Sequence, residues 1–77
     1  MADEHTETIE ISGGMIRLGQ FLKYAQFAES GAHAGALIAD GDVTVDGEVE
    51  TRRGRQLGKG MVVEVRTPQQ VLRAKVG

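Results

Sequence analysis

The stretch Val43-Thr44-Val45-Asp46-Gly47-Glu48-Val49-Glu50 alternates apolar and polar residues on either side of a central Asp-Gly. Alternation is the two-residue period of a half-buried strand, and Asp-Gly accepts the positive φ angles of a two-residue turn. The segment therefore predicts a β-hairpin. A lone hairpin is unstable in water, so in a chain of 77 residues the flanking segments must supply the rest of one small core.

Upstream, Ile9 and Ile11 at alternate positions within residues 6–11 predict a short strand, and Ser12-Gly13-Gly14 a turn. From about Ile16 to Gln26 the spacing predicts a helix: Leu18, Phe21, Leu22 and Ala25 fall within a stripe of about 100°. Gly19 weakens that helix by about 1 kcal/mol relative to Ala. Phe27 would point away from the stripe, so the helix is expected to end near Gln26, with the chain turning to bring Phe27 back to the core. Ser30 reads as the N-cap of a second helix through about Asp40, with Ala34, Leu37 and Ile38 inward and Gly41 as its stop. Gly31, Ala32, Gly35 and Ala36 leave the rest of this helix small enough for a close neighbour.

Beyond the hairpin, Gly54 and Gly58-Lys59-Gly60 punctuate a basic loop, and Met61–Val65 reads as a final strand. Thr67-Pro68-Gln69-Gln70 has the spacing of a capped helical turn. The predicted class is α+β: a small single domain with a two-helix corner packed on a short, mainly antiparallel sheet. Residues 1–5 are expected to be a disordered start, 6–67 the domain, and 68–77 a tail with a short helical turn.

The chain has no cysteine, which excludes a disulfide framework, a thiolate nucleophile and a cysteine-based zinc site. No apolar run approaches a membrane span and the acidic start is unlike a secretory signal, so a reducing cytoplasm is the expected location. The formal net charge is −2, which by itself disfavours a polyanionic partner. The charges are segregated, however. Residues 1–16 carry four acids and no base, residues 17–50 two bases against six acids, and residues 51–77 seven bases against one acid. Binding responds to the local field, so an acidic protein can still carry a polyanion surface.

Catalytic constellations are lacking. His5 and His33 have no ligand-spaced companion, and the acids of residues 40–50 read as a solvated hairpin face without a calcium-loop pattern. Neither Gly13-Gly14 nor Gly58-Lys59-Gly60 is a phosphate-cradling motif. No enzyme activity, cofactor, metal or small-molecule substrate is expected. The sharpest remaining feature is Thr51-Arg52-Arg53-Gly54-Arg55, with Lys59 beyond it: guanidinium forks match phosphate oxygens bidentately, and glycine lets the backbone approach a polyanion.

Its context resembles a known family. Ile16-Arg17-Leu18-Gly19-Gln20-Phe21-Leu22-Lys23, Glu29-Ser30, Leu37 through Val49 and Gly60-Met61-Val62-Val63 together are similar to the RNA-binding domain named after ribosomal small-subunit protein S4, the alpha-L motif. The likeness spans residues 16–65. The segments 17–23 and 47–55 look most like its small stand-alone bacterial form. The resemblance implies a basic groove presented to structured RNA, ribosomal RNA among the candidates. By position it implies RNA contacts from Arg17, Lys23, Ser30, Arg52, Arg53, Arg55 and Lys59. The chain departs from the pattern at Gly31 and Gly35, neutral where the family commonly has a base, at Gln26, where a helix-ending Gly is common, and at Met61 in place of Asp. Tyr24 shares the flank of Arg17 and reads first as a partly buried helix tyrosine, with stacking on an RNA base as the alternative.

The expected function is thus a monomeric, non-catalytic RNA-binding module that reads shape and phosphates. The competing reading is a protein-interaction module that docks a partner through the small-residue second helix.

Overall fold

The structure is a computed structural model and describes residues 6–77; the disordered start expected for residues 1–5 lies outside the described residues. Nine elements follow one another: β1 (Glu7–Ile9), β2 (Met15–Arg17), α1 (Leu18–Tyr24), α2 (Gly31–Ala39), β3 (Val43–Val45), β4 (Glu48–Val49), β5 (Gln56–Gly58), β6 (Val62–Arg66) and β7 (Val71–Val76). Five of the strands form one sheet in the order β1-β7-β6-β3-β4, and β2 pairs with β5 in a separate ribbon. Every pairing is antiparallel except β1 with β7. The α+β class with two helices and a mainly antiparallel sheet is as expected.

The core lies between the helix pair and the large sheet. Leu18, Phe21 and Leu22 of α1 and Ala34 and Ile38 of α2 meet Val43, Val45, Val63, Val65, Ala74 and Val76 from the sheet and Leu57 from the ribbon. The hairpin turns at Asp46 and Gly47, with φ of 53° and 89°, and the Asp46 carboxylate accepts the Val62 amide at 2.9 Å, tying the turn to β6.

Three segments differ from the expectation. The first helix starts at Leu18, because Met15–Arg17 pairs with Gln56–Gly58 and so is strand. Each of these strands buries one residue, Ile16 opposite Leu57, too short a repeat for any period to show. Residues 68–77 are not a tail. Thr67 Oγ1 accepts the Gln70 amide at 3.0 Å and donates to the Gln70 carbonyl at 2.8 Å, so the pair that read as a helix cap closes a β-turn instead. The chain then returns as β7 in the interior of the sheet, with Leu72, Ala74 and Val76 alternating inward. Finally, Glu50 is buried, 7% exposed, where a solvated hairpin face was expected.

The helix ends follow the expectation closely. Ser30 Oγ accepts the His33 amide at 3.1 Å and caps α2. After α1, the Phe27 amide reaches the Leu22 carbonyl (2.9 Å) and the Gln26 amide the Lys23 carbonyl (3.0 Å). This is the paired-bond Schellman termination, and it returns Phe27 to pack on the core. Its pivot is Gln26, at φ 64°. A side chain in that left-handed region costs about 1 kcal/mol that glycine avoids. Gln26→Gly is therefore expected to raise the unfolding free energy by up to about 1 kcal/mol, and Gln26→Val to lower it, both read by urea denaturation.

Candidate nucleic-acid interface

The residues between β4 and β5 form the centre of the site. In a two-residue hairpin Val45 faces Glu48 and Thr44 faces Val49. The next position, Glu50, therefore falls opposite Val43 on the inner face, its amide donating to the Val43 carbonyl at 3.0 Å. A carboxylate turned inward needs partners, and the arginine loop supplies them. Arg52 donates from Nε (3.0 Å), from Nη2 (3.3 Å) and from its backbone amide (3.0 Å) to Glu50, and Arg55 donates from Nη1 at 2.7 Å. The side-chain hydrogen bonds from Arg52 and Arg55, with the Arg52 amide, outweigh desolvation and lower the Glu50 carboxyl from an ordinary 4.5 to about 2. The same hydrogen bond raises the Arg52 guanidinium. Two of the three guanidiniums in this run, those of Arg52 and Arg55, are thus held together around one buried carboxylate.

Clamped in this way, the loop caps α1. The first turn of a helix leaves amides without intrahelical acceptors, and Arg17 at the N-cap provides no side-chain bond. The loop's own carbonyls serve instead: Leu18 donates to the Arg55 carbonyl at 2.8 Å and Gly19 to the Arg53 carbonyl at 3.1 Å. The Arg55 amide closes the turn on the Arg52 carbonyl at 3.2 Å.

Arg53 then runs across both helices. A Cβ at position 19 would lie 2.7 Å from Arg53 Cγ, and one at position 35 would lie 3.4 Å from Arg53 Nη1 and 3.6 Å from Cδ. Gly19 of α1 and Gly35 of α2 are therefore a track for the arginine's aliphatic stem, which any side chain at position 19 would obstruct. Arg53 reaches the face of α2 that has no cation of its own.

An open cleft of about 470 Å³ lies beside this track, lined by Arg17, Lys23 and Arg53 together with Gly19, Gln20, Gly31 and Gly54. The lining contains no carboxylate, and Arg17, Lys23 and Arg53 make no ion pair among the described residues. Arg52 and Arg55 face an adjoining recess with Gly54 and Gln56. Of the residues singled out from the sequence, the fold brings Arg17, Lys23 and Arg53 to one cleft and Arg52 and Arg55 to its neighbour. Ser30 serves as the helix cap, and Lys59 lies in the β5–β6 turn, lining neither opening. Glu50, Gly19 and Gly35 were not singled out as site residues. Glu50 is identifiable from the parity of the hairpin turn; a glycine inside a helix, as at Gly19, signals a close approach without saying what approaches. Tyr24 is 64% exposed, not partly buried.

Among the described residues no group of three or more His, Asp or Glu could hold a metal ion, and no helix is long and apolar enough to cross a membrane. Among the described residues no ion pair neutralises the positive charge that the cleft presents beside exposed backbone.

Comparison with known proteins agrees with this geometry. Residues 9–73 match the family described as the S4 domain. Over 57 residues, 74% of this chain and 80% of the other, the chain is 46% identical to a Bacillus subtilis (strain 168) protein named "Probable ribosome maturation protein RlbA". Over 48 residues, 62% of this chain and 69% of the other, it is 44% identical to an Escherichia coli (strain K12) protein named "Putative RNA-binding protein YbcJ".

If the loop depends on Glu50, acid should release it. A carboxylate whose folded value is depressed contributes stability that is complete above its unfolded range and is lost as pH falls through the folded value. The Leu18 and Gly19 amides are therefore expected to stay protected from hydrogen exchange at pH 5 and to lose relative protection between about 4.5 and 2. Glu50→Ala should expose both amides at every pH.

Proposed function

Because the chain belongs to the S4 domain family, we propose that it is a non-catalytic RNA-binding module whose cationic cleft grips the phosphates of a structured RNA. The observation that carries this reading is the convergence of Arg17, Lys23 and Arg53, all without ion pairs among the described residues, on one cleft without a carboxylate in its lining. Phosphate contacts fix position and orientation without reading sequence, which suits cations gathered from the end of β2, from α1 and from the arginine loop. The names of the Bacillus and Escherichia relatives support RNA as the partner, and the former favours ribosomal RNA during ribosome maturation, in the cytoplasm. The rival reading, a partner protein on the small face of α2, loses support because Arg53 already lies against Gly35 of that helix.

Arg53 should dominate, since Arg52 and Arg55 share Glu50 and their charge is partly spent within the fold. With three to four phosphates neutralised, log affinity for a structured RNA should fall against log salt with a slope of about −2 to −3. Arg53→Ala should flatten that slope by about 1 and weaken binding across RNAs nearly uniformly, with Arg52→Ala costing less. Gly19→Ala should displace the Arg53 stem and weaken RNA binding, even though alanine improves helix propensity by about 1 kcal/mol. A salt-independent affinity would sink the reading.

A further inference from the structure

The flank of α1 that leaves the cationic cleft carries Arg17, Gln20 and Tyr24 at three- and four-residue steps, which places them in line on the helix surface. Arg17 and Gln20 line the cleft. Both also line a shallow recess with Met15, and Gln20 and Met15 line a further recess of about 130 Å³ with Tyr24. The three openings thus share walls and run continuously from the cations to the tyrosine. Tyr24 and Met15 are two of the most exposed large apolar side chains of the molecule, at 64% and 53%. Gln20 stands one helical turn before Tyr24, about 6 Å along the axis.

Scattered exposed apolar residues are normal on a soluble protein. Here an aromatic ring, a thioether and a primary amide are grouped at the end of a cationic track. Proteins that read RNA beyond its phosphates take bases that have left the helical stack, hold them on an aromatic face and bond their polar edges. We propose that Tyr24, with Met15 and Gln20, is a nucleobase site: while the cleft holds the phosphates, one unpaired base stacks on the Tyr24 ring with its polar edge toward the Gln20 amide. This rests on the RNA reading of the cleft and adds to it a preference for RNA with an unpaired nucleotide over a continuous duplex.

The chain contains one tyrosine and no tryptophan, so its intrinsic ultraviolet fluorescence reports Tyr24 alone. Two RNAs with the same number of base pairs serve as probes, one a blunt duplex and one carrying a single-nucleotide bulge that adds one nucleotide. Both are expected to bind the full chain with the same salt slope. The bulged RNA should bind about tenfold tighter and quench the tyrosine, and Tyr24→Ala should abolish that advantage while leaving duplex affinity unchanged. Tyr24→Phe should keep it. Because the ring is exposed, its removal leaves the core intact, which a thermal melt of the variant checks. Equal affinity for the two RNAs, or a bulge preference that survives Tyr24→Ala, would overturn the nucleobase site and leave the ring to a protein partner. Failure of both RNAs to bind would overturn the cleft's reading as well.

Discussion

The arrangement depends on the ion cluster at Glu50. One inward-facing carboxylate gathers Arg52 and Arg55, and the turn so formed aims two backbone carbonyls at the first amides of α1. A buried acid alone would be a liability, and the Arg52 and Arg55 guanidiniums side by side would repel one another; together each removes the other's cost. The same turn sends Arg53, the member of the cluster without an ion pair among the described residues, outward across the helices. The ion pairs that hold the loop and the cation proposed to meet RNA thus come from neighbouring residues.

Smallness on the helix surface is what makes this usable. Helix pairs bury small residues where backbones must come close, and here Gly19 and Gly35 leave room for a side chain rather than a second backbone. The stem of Arg53 lies against the bare Gly19 and Gly35 positions of the two helices while its guanidinium reaches the cleft, the usual amphipathic behaviour of arginine. The second helix, which carries no base, receives its positive charge from the loop. The net acidity of the chain is compatible with this because binding responds to the local potential.

Much of this was legible in the residues themselves. The Asp-Gly hairpin, the α1 stripe, the turn at Gln26 that returns Phe27 and the Ser30 cap all rest on local rules, and local rules decided them. What stayed hidden required pairing partners. Ile16 and Leu57 each supply one buried residue to a ribbon whose strands lie far apart in sequence, and no periodicity exists in three residues. Thr67 and Gln70 bond in a helical cap and in a β-turn alike, and the inward alternation of Leu72, Ala74 and Val76 was the competing signal. For the site, Arg17, Lys23 and the arginine run were visible as cations. That Arg53, among the described residues, is the member of its cluster without an ion pair follows only from the parity that turns Glu50 inward, and its glycine track only from the crossing of α1 and α2.

If RNA is gripped in the cleft along this track, residue-level mapping of the bound state will show it there. In a titration of the isotope-labelled chain with a structured RNA, followed by nuclear magnetic resonance, the largest shifts are predicted at the Arg53 and Arg17 side-chain Nε–H groups and at the Gly19, Gln20 and Gly31 amides. The outer face of the sheet around Thr44 and Glu64 should remain still. Shifts centred on Ala32 and Ala36, or spread evenly over the domain, would contradict the account.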